Sequence, residues 1–239
     1  MIPLKDDIPS RSVPFVTIIL IALNVLVFLY QVALGDEGPG QAVSPAHAFV
    51  LEFGVTPCRL AGTCQTPGDF PHPVVTVFTA MFMHGGLFHV FGNMLYLWIF
   101  GDNVEDVLGH TRFLIFYLLA GAGAAVAQTL ADPTSRVPMV GASGAVSGIL
   151  GAYLLLFPYA SVLTLLVFGF FWRVVHVPAV IVLGFWIVVQ LLSGYLTFSA
   201  AAAGRGETGG VAWFAHIGGF LIGMLLLVLM RPRQQSARL

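Results

Sequence analysis

Residues 211–230 read VAWFAHIGGFLIGMLLLVLM, an apolar stretch that contains a single ionisable side chain, His216. The stretch is as long as the ~20 apolar residues that a helix needs to cross a bilayer. It also carries three glycines, Gly218, Gly219 and Gly223. Because lipid provides no hydrophobic force between helices, such small residues indicate a close helix–helix contact. The stretch therefore predicts a transmembrane helix that packs tightly against a neighbour and holds a histidine at membrane depth.

Apolar runs of this kind recur along the chain, at 13–34, 86–100, 111–131, 141–157 and 176–196. Only 9% of the 239 residues are charged and the mean hydropathy is +0.92, whereas a soluble domain carries about 25% charged residues. We therefore predict an all-α membrane protein with six transmembrane helices. The apolar run 160–171 is too short to cross a bilayer, and we predict an interfacial or buried loop segment there.

These runs define three parts of the chain: a polar tail at 1–12, a membrane domain at 13–230 and a tail at 231–239. The membrane domain includes a long loop, 35–74, in which 45–54 has helical apolar spacing. Six spans leave both termini on one side. If that side is the cytoplasm, seven of the ten Lys and Arg residues are inside, as the positive-inside rule requires. The net charge of −1 gives no indication of nucleic-acid binding.

The only two cysteines, Cys58 and Cys64, both lie in the long loop, which this topology places outside. An oxidising exterior would allow a disulfide between them, and two unpaired thiols are an equally good interpretation.

Polar side chains inside predicted spans indicate function, because burying them in lipid costs free energy. Those of interest are His84, His89, Asn93, Ser143, Ser147, Gln190 and His216. The second, fourth and sixth helices all run from outside to inside. His89 and Asn93 lie in the first turns of the second helix, Ser143 opens the fourth helix, and His216 lies in the first turns of the sixth. These four residues therefore lie at similar depth below the outer surface. Each residue alone has a structural explanation, but their coincidence favours a catalytic site.

The chemistry of these four residues is complementary. A serine hydroxyl needs a base to become a nucleophile, and neutral His216 can act as one for Ser143. Backbone N–H groups at the start of a helix stabilise negative charge. His89 and Asn93 are four residues apart, so they project from one helix face and can add side-chain donors to the same oxyanion.

Three motifs in this chain resemble those of the rhomboid family of intramembrane serine proteases, in its bacterial, six-helix form. HGGLFHVFGN at 84–93 resembles the family pattern H-x4-H-x3-N, and GASG at 141–144 resembles G-x-S-G. AHIGGFLIG at 215–223 resembles A-H-x2-G-x3-G. The order of motifs and spans is also similar, from about residue 14 to residue 230.

The resemblance implies a serine–histidine pair, Ser143 and His216, that needs neither a cofactor nor a metal. It implies oxyanion donors at His89, Asn93 and the Ser143 amide, and a structural role for His84. The expected partners are the lipid bilayer and the transmembrane segments of other proteins, cut near their outer ends. The expected location is a bacterial cytoplasmic membrane, with the site open to the outer side.

Other residues acquire structural roles from the resemblance. Gly219 and Gly223 are expected to pack the sixth helix on the fourth, with Gly141 and Gly144 also serving helix packing. Glu105 matches a buried family glutamate that ties loops together. The sequence departs from many relatives at Ser147, where they carry a tyrosine stacked on the catalytic histidine. We predict that the Ser147 hydroxyl bonds the His216 ring instead. We also predict that 197–212 forms a movable cap and that the fifth helix forms a side gate.

Three other functions compete with the protease. A catalytically silent relative that binds or escorts membrane proteins typically lacks the serine or the histidine, and this chain has both. A proton-coupled transporter usually has acidic residues in mid-span and two related halves, and neither is found here. A zinc protease would carry H-E-x-x-H, which is absent. The sequence does not predict the natural substrate or the oligomeric state.

Overall fold

The computed structural model describes residues 1–35, 43–202 and 210–231. It is mostly helical, with one small sheet. The helices are α1 (Phe15–Leu34), α2 (Pro45–Phe53), α3 (Pro57–Leu60), α4 (Pro73–Thr79), α5 (Leu87–Leu108), α6 (His110–Ala131), α7 (Ser143–Leu156), α8 (Ala179–Ala202) and α9 (Trp213–Met230), and a 3₁₀ turn follows α4 at Ala80–Phe82. The strands are β1 (Ile2–Lys5), β2 (Ser161–Phe168) and β3 (Phe171–Pro178).

Each of the six predicted apolar runs overlaps one of the longer helices, although α5 and α8 extend beyond their runs to Leu108 and Ala202. Within the described ranges, α1, α6, α8 and α9 are long and apolar enough to cross a membrane. The segment Pro73–Phe82 and helix α5 form a fifth candidate span if this pair, bent by 83°, counts as one. Helix α7 is apolar but shorter. The chain is therefore a helical integral membrane protein, and the count of six spans stays a prediction.

Glycines allow α7 and α9 to touch through their backbones. A Cβ added to Gly219 would lie 2.1 Å from the Gly144 carbonyl oxygen, and one added to Gly223 would lie 2.1 Å from that of Gly148. Both contacts advance by four residues on each helix, so the two helices run parallel. In the structure, α9 therefore lies directly against α7 at Gly144, Gly219 and Gly223.

Helix α7 lies at the centre of the molecule, with α6 antiparallel to it on another side. The Cβ of Ala124 would lie 2.6 Å from a Cβ built on Gly144, and that of Ala120 would lie 2.6 Å from one built on Gly148. Every residue of α7 from Gly144 to Tyr153 is buried. The site that this helix begins is therefore set in the rigid core of the bundle.

The predicted buried glutamate ties α1 to α5. Glu105, only 1% exposed, accepts hydrogen bonds from the backbone N–H groups of Val16 and Thr17 and from the Thr17 hydroxyl. These are N–H groups of the first turn of α1, which have no partner within the helix. The negative charge of Glu105 also interacts favourably with the positive, N-terminal end of the α1 dipole. His110 Nδ1 lies 2.6 Å from the same carboxylate.

One end of the mostly helical bundle carries a small sheet that the sequence analysis did not predict. Strands β1, β2 and β3 form an antiparallel sheet in that order, and they take up the predicted loop segment 160–171. The predicted fifth span therefore begins with Ala179 rather than at 176. The physical reason is the β-branched content of the two longer strands, since such residues pack well on a pleated surface. They are Val162, Thr164, Val167, Val174, Val175 and Val177.

The predicted N-terminal tail is also structured. Residues 2–5 form β1, which pairs with β2 and places Ile2 opposite Leu165. Farther along, Ser10 donates to Asp102, and the backbone N–H groups of Arg11 and Ser12 donate to Asp106. Segment 1–12 is therefore part of the folded domain. The predicted C-terminal tail beyond Arg231 lies outside the described residues.

The long loop after α1 folds over the end of the bundle opposite the sheet. Its predicted helical stretch forms α2, and Cys58 and Cys64 form a disulfide with a Cα–Cα distance of 5.3 Å. The Cys58 N–H donates to the Ser135 carbonyl at 3.0 Å, and Val55 pairs with Met139 in an isolated bridge. The loop is thereby attached to the segment that precedes α7. Residues 36–42 of this loop lie outside the described residues.

Candidate active site

Ser143 and His216 are brought together by the parallel packing of α7 and α9. Ser143 is the first residue of α7 and His216 lies in the first turn of α9. The Ser143 Oγ and the His216 Nε2 are 2.8 Å apart, a hydrogen-bond distance. The close contacts at Gly219 and Gly223 fix the axial position of α9 relative to α7. They therefore also fix the distance between Ser143 and His216.

The other nitrogen of His216 is held by α8. Its Nδ1 lies 2.8 Å from Oε1 of Gln190. The rings of Trp186 and Trp213 have their centroids 6.0 Å and 6.2 Å from that of His216, the first tilted and the second edge-on. Two tryptophans, one from α8 and one from α9, thus lie beside the imidazole.

The prediction that Ser147 holds the imidazole was wrong. The Ser147 hydroxyl donates to the Ser143 carbonyl, one turn earlier in α7, at 2.6 Å. A buried serine inside a helix commonly bonds the carbonyl four residues before it. Both ring nitrogens of His216 have other partners, Ser143 and Gln190.

Gly141 has a different role from the predicted helix packing. It precedes α7, has a φ of +130°, and donates its N–H to the Ala80 carbonyl at 2.9 Å. An added Cβ would lie 2.8 Å from the Nε2 of His89. Only glycine adopts such a backbone conformation readily, and its missing side chain lets the His89 ring approach the start of α7.

His89 and Asn93 face the same region from α5. His89 Nδ1 accepts a hydrogen bond from the Gly85 N–H at 3.3 Å, so in the neutral ring the proton lies on Nε2, which faces Gly141. Asn93 donates one amide hydrogen to the His89 carbonyl at 3.1 Å, which leaves the second available. Each side chain therefore has a donor at the site.

His84 is buried behind His89. It is 2% exposed, and its ring packs edge-on against the His89 ring with centroids 5.1 Å apart. Its backbone is held on both sides by Gln31, which accepts from the His84 N–H at 2.9 Å and donates to its carbonyl. This position fits the structural role predicted for His84, since the ring supports that of His89.

These residues line one cavity of about 720 Å³. Ser143, His216, His89 and Asn93 all contribute to its wall. The wall also includes residues from the facing sides of α5 and α8, namely Phe88, Gly92, Tyr96, Trp186 and Thr197. The cavity therefore extends from the Ser143–His216 pair towards the space between these two helices. Of the predicted cap 197–212, the part 203–209 lies outside the described residues.

Sequence reasoning missed the role of two residues, Trp186 and Gln190. Gln190 was notable as a polar side chain inside an apolar run, and it is 6% exposed. Its contact with His216 depends on how α8 packs against α9, and no sequence motif on α8 predicts this packing. Trp186 lies one turn earlier on α8, and its spacing from Gln190 was the only available signal that the two act together.

Comparison with known proteins agrees with this architecture. The family model for the rhomboid domain matches residues 71–233. RHOMBOID-like protein 1 of Arabidopsis thaliana is 33% identical over 68% of this chain and 36% of its own length. The mitochondrial Rhomboid protein 1 of Saccharomyces cerevisiae is 30% identical over 66% of this chain and 42% of its own length. Rhomboid protease GluP of Bacillus subtilis is 42% identical over 32% of this chain and 14% of its own length.

The matched segment spans less than half the length of these relatives, and it includes every residue of the cavity wall except Pro57. Helix α1 and the long loop lie largely before it. Because the family match covers more than half of the chain and contains all three motifs, the chain belongs to the rhomboid family.

Proposed function

We propose that this chain is an intramembrane serine endopeptidase that uses Ser143 as nucleophile and His216 as general base. The observation that carries this proposal is the 2.8 Å contact between Ser143 Oγ and His216 Nε2 at the wall of a cavity. A relative that is named a protease, from Bacillus subtilis, supports the same activity.

The reaction follows from the geometry. His216 Nε2 takes the proton of Ser143 as the oxygen attacks a peptide carbonyl, and the C=O bond becomes a C–O⁻. The Ser143 amide at the start of α7, His89 and Asn93 donate hydrogen bonds to that oxyanion. When the C–N bond breaks, His216 returns its proton to the leaving amine. Water then attacks the acyl-enzyme with the same base, and Ser143 regains its proton as the carboxylic acid leaves.

The substrate we propose is the transmembrane segment of another protein, entering between α5 and α8. The cavity has walls on both helices, which supports access from the lipid side. Helix α7 spans 14 residues, about 21 Å at ~1.5 Å per residue, against a hydrocarbon core of ~30 Å. A helix this short does not reach both surfaces, which supports a nucleophile that lies below one of them.

We propose that the site opens to the outer side of a bacterial cytoplasmic membrane and that both termini face the cytoplasm. The distribution of Lys and Arg along the sequence supports this orientation. The Cys58–Cys64 disulfide supports it as well, because disulfides form in oxidising compartments and this one lies at the end of the bundle that holds the site.

The test uses detergent-purified protein and a panel of single-span substrates, with Ser143→Ala as the matched inactive control. We expect cleavage by the wild type only, covalent labelling of Ser143 by a fluorophosphonate, and no effect of a chelator. Equal labelling of Ser143→Ala, or loss of cleavage with a chelator that zinc restores, would contradict the proposal. Binding of substrates without cleavage or labelling would favour a catalytically silent escort protein instead.

A further inference from the structure

The base of the serine–histidine pair, His216, has a second hydrogen-bond partner besides Ser143. Gln190 lies in α8, is 6% exposed, and places Oε1 2.8 Å from His216 Nδ1. Its amide nitrogen donates to the Trp186 carbonyl at 3.4 Å, the carbonyl four residues earlier in the same helix. This long second bond favours the orientation of the amide in which the oxygen, and not the NH₂ group, lies at Nδ1.

An amide oxygen accepts hydrogen bonds and never donates them. Its partner Nδ1 must therefore carry the proton of the neutral imidazole, and the lone pair lies on Nε2, which faces the Ser143 hydroxyl. If the amide were reversed, its NH₂ group would donate to Nδ1 and the ring proton would move to Nε2. The histidine would then be unable to take the proton of Ser143.

Helix α8 also places an aromatic ring beside His216. Trp186 lies beside His216 with ring centroids 6.0 Å apart, and its other neighbour is Phe220 of α9, at a centroid distance of 6.0 Å. Between them, Trp186 and Gln190 hold the imidazole by contact and by hydrogen bond. Both depend on α8 lying against α9.

We propose that Gln190 is a positioning residue that fixes the tautomer and orientation of His216, so that α8 must lie against α9 for the site to work. This inference rests on the proposed protease function. It adds a consequence: if α8 moves away to admit a substrate, Gln190 leaves His216, and the base is restored only when α8 closes again. Entry and catalysis are thereby coupled through one side chain.

The test compares variants at this position in the full-length protein. Gln190→Leu removes the acceptor, and Gln190→Asn keeps an amide that is too short to reach. We expect each to slow both kcat and fluorophosphonate labelling of Ser143 by at least the roughly two- to twelve-fold of one hydrogen bond, with KM unchanged. Gln190→Glu retains an acceptor at Nδ1, so we expect its rate to stay near that of the wild type. Its charge favours the imidazolium form, so the acidic limb of the pH–rate profile moves to higher pH.

Ser193→Ala on the same helix is the matched control, and we expect it to label at the wild-type rate. A melting temperature for each variant separates a folding defect from an effect on the base, and Gln190→Asn carries the test if Gln190→Leu fails to fold. Wild-type labelling rates for Gln190→Leu and Gln190→Asn, or a pH–rate profile unchanged in Gln190→Glu, would overturn the positioning role. Absence of labelling in the wild type itself would instead overturn the proposed protease function.

Discussion

At the scale of single residues, the proposed oxyanion donors His89 and Asn93 differ in how firmly they are placed. The His89 ring is fixed by the Gly85 N–H and by the His84 ring behind it. The Asn93 amide is held by one bond to the His89 carbonyl. Loss of the Asn93 side chain leaves His89 in place, whereas loss of the His89 ring leaves a space beside Gly141.

We therefore expect His89→Ala to be at least as harmful as Asn93→Ala. Removal of one oxyanion donor costs ~10²–10³ in turnover in a serine protease, and Asn93→Ala is expected to cost less than this because His89 and the backbone amide remain. The measurement is kcat on a single-span substrate. Phe91→Ala, on the exposed side of α5, is the control. An unchanged kcat in both His89→Ala and Asn93→Ala would remove these residues from the mechanism.

The residues proposed to act in catalysis were predictable from sequence, and those that support them were not. Ser143, His216, His89 and Asn93 lie in motifs near the starts of three predicted helices, so their shared depth and the family resemblance indicated them. What holds His216 depends on the direction of side chains across a helix contact. Ser147 was a reasonable choice because it shares a helix face with Ser143, but its hydroxyl bonds its own helix. Gln190 reaches the ring from α8 instead.

At the scale of helices, the α7–α9 contact tolerates no added atom. A Cβ on Gly223 would lie within 2.5 Å of three backbone atoms of Gly148. Backbone cannot move aside as a flexible side chain does, so the helices would have to separate and His216 would move away from Ser143.

Gly223→Ala should therefore lower both the melting temperature and the rate of fluorophosphonate labelling. Overpacking of a tight contact costs ~1–3 kcal/mol. The matched control is Gly184→Ala in α8, where an added Cβ meets nothing within 4 Å. Equal melting temperatures and labelling rates for the two variants would show that the close approach is not required.

The substrate entry proposed between α5 and α8 can be tested by cross-linking the two helices. Gly92 and Thr197 line the cavity from the two helices, and both native cysteines are bonded to each other, so a bifunctional maleimide reacts with engineered cysteines at these positions alone. We expect the verified cross-linked protein to lose cleavage of a transmembrane substrate but to label with a fluorophosphonate at the rate of the uncross-linked double variant. Full cleavage by the cross-linked form would exclude this route.

The helices were predictable and the sheet was not, for a physical reason. The apolar lengths of α1, α6, α8 and α9 match the thickness of a bilayer, and that leaves a plain signal in the sequence. Strands β2 and β3 lie in apolar stretches that do not alternate with polar residues, so the period of two is hidden. The β-branched residues of β2 and β3 were the available sign that these stretches form strands. Strand β1 has four residues and little pattern of its own, and its partner lies far along the chain.

At the scale of the whole molecule, the end that carries the sheet has a cluster of carboxylates. Asp6 accepts a hydrogen bond from the Tyr153 hydroxyl, and burial, helped by the nearby Asp102 and Asp7, raises the pKa of Asp6 to about 6. A carboxyl whose pKa is raised on folding stabilises the fold while it is protonated. That stabilisation is complete below its usual value of 3.8 and is lost as the pH rises through about 6.

Asp6→Asn is expected to remove this pH dependence, because asparagine still accepts a bond from Tyr153 but never ionises. The melting temperature of the variant should rise relative to the wild type as the pH increases from about 4 to about 7. Asp69→Asn, in the exposed part of the long loop, should follow the wild type. A constant difference between Asp6→Asn and the wild type over this range would contradict the assignment.

The pairing of β1 with β2 has a consequence for the order of folding. Ile2 meets Leu165, so well over half of the chain must be synthesised before the first strand finds its partner. Closing a loop of that length costs conformational entropy, and the cost falls once the intervening helices have brought the two ends to the same side. Residues 2–5 are thus expected to be among the last to reach their native contacts, after α1, α5, α6 and α7 have assembled.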